Sequence, residues 1–233
     1  MNDILAYMNE RTLTERKIKE DQVNTLAEIF QEFKSGFDFL KKYPKTVSIF
    51  GSARFSPDDV HSKSAELLAS RIVKELGYVV VTGGGPGIMQ AANKGAHEAG
   101  GISVGVTIRL PKEQNTNEYV TEELKCNYFF TRKTILALAA EAYVVFPGGY
   151  GTFDELFERL TLIQNGKIPR VPVILVGKDF WNPLYDFMKK SMLEAHDAIT
   201  KEDLGLFTIT DDIDEIMSII AKAPISRWWS HSE

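Results

Sequence analysis

A single cysteine, Cys126, serves the whole 233-residue chain. No internal disulfide can form, and a cytoplasmic setting is the simplest expectation. No apolar run approaches the roughly 18 residues of a membrane span. The polar opening MNDILAYMNERTLTERK also lacks a signal peptide's apolar segment, so neither a membrane partner nor secretion is expected. Positive charge is in deficit, with 27 Lys and Arg against 32 Asp and Glu. A nucleic-acid backbone is therefore not the expected partner. The four histidines, His61, His97, His196 and His231, are dispersed, and HEAGG at 97 is not H-E-x-x-H, so no metal site is expected. No G-x-S-x-G is present for a serine hydrolase. GGGPGIM (83–89) has Ile88 where a dinucleotide fingerprint has its third glycine. It also lacks the Gly-Lys-Ser/Thr ending of a P-loop. No internal repeat or low-complexity tract is visible.

The remainder is an ordinary globular composition, 44% hydrophobic and 25% charged. Two regions separate near Pro44. Before it, Val23, Leu26, Ala27, Phe30, Phe33, Phe37 and Leu40 recur at helical spacing. This predicts an amphipathic arm over 14–41, within an N-terminal region 1–44. Glu28, Glu32, Lys34, Lys41 and Lys42 read as its solvated face, and Gly36 as a break or bend. From 45 to 223, apolar runs alternate with helical patterns, followed by a short tail, 224–233. Strands are expected at 46–50, 78–85, 102–108, 124–130, 142–147, 172–177 and 206–210. Helices are expected after Ser56-Pro57, over 88–100, over 131–141 and behind Thr152. Continuous apolar strands alternating with helices predict an α/β, Rossmann-like, doubly wound fold. Its sheet is mostly parallel, with helices on both faces. Ligands of such sheets sit at the strands' carboxyl ends, where every glycine-rich turn falls.

Three of these turns suit an anionic small molecule. FGSAR offers Gly51, Ser52 and Arg54: backbone donors, a hydroxyl and a guanidinium, or equally a plain turn with a surface arginine. TGGGPGIM sets Gly83, Gly84, Gly85 and Gly87, with Met89, between a strand and a helix N-terminus, where exposed N–H groups favour an anion. VVFPGGYGTFDELFERL places Gly148, Gly149 and Gly151 before Thr152, whose hydroxyl can cap a helix or bind a phosphate oxygen. Phe153, Leu156, Phe157, Leu160 and Ile163 mark the buried stripe, leaving Glu155 off it. Spacing alone leaves Glu155 open between two roles: reaching back to Thr152 in a capping box, or facing a ligand. Arg132 and Lys133 lie where strand gives way to helix, either as a surface pair or as the fork that neutralises an oxyanion.

PGGYGTFDE (147–155) resembles the P-G-G-x-G-T-x-x-E motif of the LOG (Lonely Guy) family, also labelled lysine decarboxylases. Arg132-Lys133, GSAR and TGGGPGIM match its other motifs in order, across about residues 45–220. The N-terminal helical extension and LTLIQNGKIPRVPVILVG resemble a longer bacterial branch. The resemblance implies a phosphoribohydrolase that splits the base–ribose bond of AMP or cytokinin-type purine nucleotides. Arg132 and Glu155 match the catalytic pair. Lys133, Met89, Thr152 and the glycine loops match phosphate and nucleotide contacts. It also implies a homodimer or higher homo-oligomer and no cofactor. Asp154 stands where many relatives carry Glu. A carrier of nucleotide or molybdenum cofactor on the same fold is the alternative. Decarboxylation lacks support, since Lys133 has around it none of the constellation that pyridoxal phosphate requires.

Overall fold

The computed structural model describes the backbone of residues 2–109 and 115–224, with side chains at Lys17 and from Asp21 onward in those ranges. The expected tail lies outside them from residue 225. Seven strands form one sheet in the order β4-β3-β2-β1-β5-β6-β7. They are β1 (Thr46–Phe50), β2 (Val79–Thr82), β3 (Ser103–Ile108), β4 (Glu122–Cys126), β5 (Ala142–Val145), β6 (Val173–Leu175) and β7 (Thr208–Ile209). Every neighbouring pair is parallel. The four central runs, β1, β2, β3 and β5, are almost wholly buried. That explains why they read as continuous apolar stretches rather than as alternation.

Helices pack on both faces. Phe39, Leu40, Ile135, Leu156, Leu160 and Trp181 form one core layer. It is built by α1 (Asn2–Leu40), α4 (Phe129–Ala137), α5 (Tyr150–Gln164) and α6 (Lys178–Phe187). Leu68, Ala69, Ile88, Ala92, Ile216 and Ile220 form the other layer. That side is built by α2 (Val60–Arg71), α3 (Ile88–Glu98) and α7 (Ile213–Ala221). The chain winds outward from β1 to β4 and then returns to lay β5 on β1's other side. The order reverses between β1 and β5, which is where a doubly wound sheet opens a crevice at its carboxyl edge. Among the described residues no helix is long and apolar enough to cross a membrane.

Several local expectations are corrected. The strand expected at 124–130 runs instead over Glu122–Cys126, and Phe129 already opens α4. The helix expected over 131–141 therefore begins and ends earlier. The reason is a carboxylate from another element, which caps the turn at Asn127–Tyr128. The helix assigned to Ser56-Pro57 starts at Val60, where the Asp59 side chain accepts the His61 N–H at 2.8 Å. Gly36 does not break the arm, which is one helix over Asn2–Leu40. A Cβ there would lie 2.3 Å from Ile135 Cδ1, so glycine lets α1 approach α4. Glu32 is not on a solvated face but buried. Val23, Leu26 and Phe30, on the apolar face of an arm expected to pack on the body or on a second subunit, do not pack on the body: they are 59%, 65% and 70% exposed.

Candidate active site

Three loops meet at the β1–β5 crevice and are fastened to one another. Ser52 donates its N–H to the Pro147 carbonyl at 2.9 Å, and Ile88 donates to the Ser52 carbonyl at 3.0 Å. Gly87 sits at φ +68°, and a Cβ there would come within 2.3 Å of the Ser52 carbonyl oxygen. Only glycine meets both demands. From behind, buried polar groups clamp the second loop. Gly84 N–H donates to Thr82 Oγ1 at 2.9 Å. Asn117 N–H donates to the Gly84 carbonyl at 2.9 Å, and its amide to the Gly85 carbonyl at 3.0 Å. Asn93 Oδ1 accepts from both Thr82 Oγ1 and Asn117 Nδ2. A loop held this way meets its ligand already ordered, without a further entropic cost.

A cavity of about 820 Å3 opens in front of the three loops. Gly51, Ser52 and Arg54 line it from the β1 loop, and Gly83 and Met89 from the β2 loop and α3. Gly148, Gly149, Gly151, Thr152 and Glu155 line it from the β5 loop and α5, and Arg132 and Lys133 from α4. Gly84, Gly85 and Gly87 stand behind this wall and serve the clamps just described. Arg132 comes close against the glycine loop, since a Cβ on Gly83 would sit 2.5 Å from its Nη2. Its Nε donates to the Val106 carbonyl at 2.8 Å, which aims the rest of the fork into the cavity. Burial draws this guanidinium below its usual pKa and the Glu155 charge opposes that; an arginine stays protonated regardless.

The capping-box geometry is corrected. α5 begins at Tyr150 with Gly149 as its N-cap, so Thr152 is the third helical residue and Glu155 lies in the second turn. A Cβ on Gly148 would fall 2.0 Å from Thr152 Oγ1, so the bare glycine lets that hydroxyl pack on the turn. Tyr150, Gly151 and Thr152 occupy the first helical positions, whose N–H groups have no intrahelical acceptor and suit an anion.

Glu155 is only 8% exposed, yet borders the cavity. Burial pushes its carboxyl above the ordinary glutamate value, while Arg159 and then Arg132 pull it back. Arg159, which the sequence reading passed over, is 0% exposed. Its Nη2 lies 3.5 Å from Glu155 Oε2 and 2.7 Å from Glu158 Oε2. The guanidinium carbon stands 5.4 Å from the Tyr143 ring centroid. Nε and Nη1 are buried without a partner among the described residues. The signal for it was present, an acid and a base at i and i+4 on one helix. Lys133 donates to Asp154 Oδ1 at 2.8 Å. Burial alone would lower its ammonium pKa, but Asp154 and the Glu158 and Glu155 charges outweigh burial and raise it. Phe50, Phe129, Leu136 and the outermost Tyr150, 96% exposed, add an apolar and aromatic wall that the glycine motifs did not announce.

Residues 89–220, more than half the chain, match a family described as "Possible lysine decarboxylase". Over 157 residues the chain is 31% identical to a cytokinin riboside 5′-monophosphate phosphoribohydrolase of Arabidopsis thaliana, covering 66% of this chain and 68% of that one. A protein of the same description from Oryza sativa subsp. japonica is 33% identical over 149 residues, 62% of this chain and 60% of the other. Among solved structures, the molybdenum cofactor carrier protein of Chlamydomonas reinhardtii superposes with a TM-score of 0.54 at 25% identity. The match spans 76% of this chain and 99% of the carrier.

Proposed function

The chain belongs to the LOG family, the possible lysine decarboxylases, and from that premise we propose that it is a cytoplasmic nucleoside 5′-monophosphate phosphoribohydrolase. It would add water across the N-glycosidic bond of AMP or a cytokinin-type purine nucleotide, giving free base and ribose 5-phosphate. The observation that carries this reading is the convergence of Arg132 and Glu155, from two helices, on one glycine-walled cavity at the switch point. The first-turn N–H groups of α5 and the Ser52 hydroxyl receive the 5′-phosphate, the Ser52 N–H being spent on the Pro147 carbonyl. As the C1′–N bond lengthens, positive charge grows on the ribose. The Glu155 carboxylate stabilises it and takes a proton from the incoming water. Arg132 offsets negative charge on the phosphate or on the departing base. The phenyl and aliphatic wall of Phe50, Phe129 and Leu136 suits the base. Relatives described as phosphoribohydrolases support the reading.

The fold likeness to a molybdenum cofactor carrier supports a second reading, a non-catalytic carrier. It would use the same loops but leaves the buried Arg159–Glu155 pair facing Arg132 without a task. Incubation with a panel of purine and pyrimidine monophosphates separates the two. Multiple turnovers yielding free base support the hydrolase, whereas stoichiometric binding with no base released supports the carrier. A pyridoxal-type decarboxylase is not supported, because Schiff-base chemistry needs a neutral amine and Lys133 is held charged by Asp154.

Arg159 gives this reading a pH signature. Glu155 must be ionised to act, so activity falls on the acid side as its carboxyl protonates. The charges around it are Arg159, Arg132, Glu158 and Lys133. Arg159→Met removes the first of the two that lower it most, and the acid limb of kcat/KM is expected to move up by roughly one pH unit. Arg159→Lys restores part of the shift. A limb that stays in place in Arg159→Met would refute this role.

We also propose a homo-oligomer, with a dimer as the simplest form. Val23, Leu26 and Phe30 make an exposed apolar stripe on α1, and Phe129 and Phe130 are 58% and 51% exposed. Large apolar side chains left exposed on one helix face suit an interaction site. Light scattering is expected to give at least twice the chain mass, reduced in Phe30→Glu; a wild-type monomer at micromolar concentration would refute the proposal.

A further inference from the structure

The N-terminal arm lies outside the residues that match the family, 89–220, yet it reaches the start of α4, and so the site, chiefly through the carboxylate of Glu32. Glu32 on α1 is buried, 9% exposed. Its Oε2 accepts the Asn127 N–H at 2.8 Å and the Asn127 side-chain amide at 3.1 Å. Its Oε1 accepts the Tyr128 N–H at 3.2 Å and the Thr131 hydroxyl. All four donors sit at the start of α4, whose own N-cap residue, Tyr128, makes no side-chain cap. A negative charge at that end suits the helix dipole, and hydrogen bonds to an ionised acceptor are the stronger kind. Contacts before and after Glu32 tie the same two elements together: one turn earlier, Glu28 Oε2 accepts the Tyr128 hydroxyl at 3.1 Å. Phe33 and Phe130 have ring centroids 6.5 Å apart, and Gly36 permits the close contact with Ile135. The next residue after Thr131 is Arg132.

We infer that the arm is a working part of the active site: Glu32 is a positioning residue that fixes the first turn of α4 and thereby holds Arg132 in register against Glu155. Glu32 touches no part of the cavity itself. It acts along a short path, from carboxylate to helix start to the Arg132 backbone, whose N–H bonds back to the Tyr128 carbonyl at 3.1 Å. The inference rests on the proposed function for its kinetic consequence but not for its structural one.

The test uses the full chain. In 15N-arginine-labelled protein, the Arg132 Nε–H resonance is assigned by its loss in Arg132→Ala. It is expected to shift and exchange faster with water in Glu32→Ala, as its bond to Val106 loosens. The resonance returns toward the wild-type position in Glu32→Asp. Glu32→Gln, which keeps one acceptor oxygen, gives an intermediate spectrum and guards against a variant that fails to fold. In parallel, kcat for AMP is expected to fall roughly tenfold to a hundredfold in Glu32→Ala, with KM held within about threefold, because misplacing a catalytic group costs rate more than binding. A merely structural Glu32 would lower the melting temperature while leaving both the resonance and kcat per folded molecule as in wild type, and that outcome overturns the inference. If wild-type protein releases no base from AMP, the proposed function fails, and the resonance alone decides whether Glu32 positions Arg132.

Discussion

Glu155→Gln is expected to reduce base release by roughly 10²–10⁴-fold, the range for losing a general acid–base group, while the fold at neutral pH becomes no less stable. The two halves of that expectation come from one fact, the burial of a carboxylate in front of the cavity. Burial raises its pKa above the ordinary value of 4.5, even with Arg159 and Arg132 opposing. A carboxyl raised in the folded state favours folding fully below its unfolded value, and loses that contribution as pH rises through its folded value. At pH 7 the ionised Glu155 is therefore a burden on the fold that the active site tolerates. Glutamine keeps the shape and removes the charge. Arg159 retains its 2.7 Å bond to Glu158, so no buried cation is stranded. Melting curves at pH 7 and near pH 4 should show Glu155→Gln at or above wild type at the higher pH, with its advantage shrinking at the lower. A helix-capping role predicts the reverse, full turnover with lost stability.

Arg132→Ala is expected to cost about 10²–10³-fold in kcat, comparable to removing one preorganised donor from a site that stabilises developing negative charge. Arg132→Lys should recover little. The arginine spends Nε on the Val106 carbonyl and brings its fork close against Gly83. A lysine has one point of donation and cannot both anchor and present a planar pair. Steady-state kinetics on the two variants would check this. Recovery of most activity in Arg132→Lys would mean that a point charge suffices and that the aimed fork is not what matters.

Much of this architecture is legible in the sequence. Strands buried on both faces show themselves as uninterrupted apolar runs, so β1, β2, β3 and β5 fall close to where the sequence puts them. The glycine turns all lie at strand ends, and the reversal of order at β1 and β5 gathers them. What was hidden depends on partners distant in sequence. NYFF looks like strand because its aromatics favour one, yet Glu32, nearly a hundred residues earlier, caps the turn and starts a helix there. Glu32 itself reads as solvent-facing, because spacing along a helix shows which residues share a face but not what that face will meet. Thr152 fits a capping pattern, but Gly149 takes the cap three residues earlier, and that moves Glu155 from the first turn to the second. Arg159 sits within a mixed helix pattern whose neighbours did not disclose that it would be entombed beneath Tyr143.

The central claim is that this glycine-walled cavity breaks a glycosidic bond, with Arg132 and Glu155 acting across it. Its most direct test is to incubate wild-type and Glu155→Gln protein with AMP and to quantify adenine and ribose 5-phosphate by chromatography over many turnovers. The account predicts equal amounts of both products, growing with time in wild type and nearly absent in the variant. Absence of adenine from wild type across AMP and N6-substituted analogues, or equal release by Glu155→Gln, would contradict it.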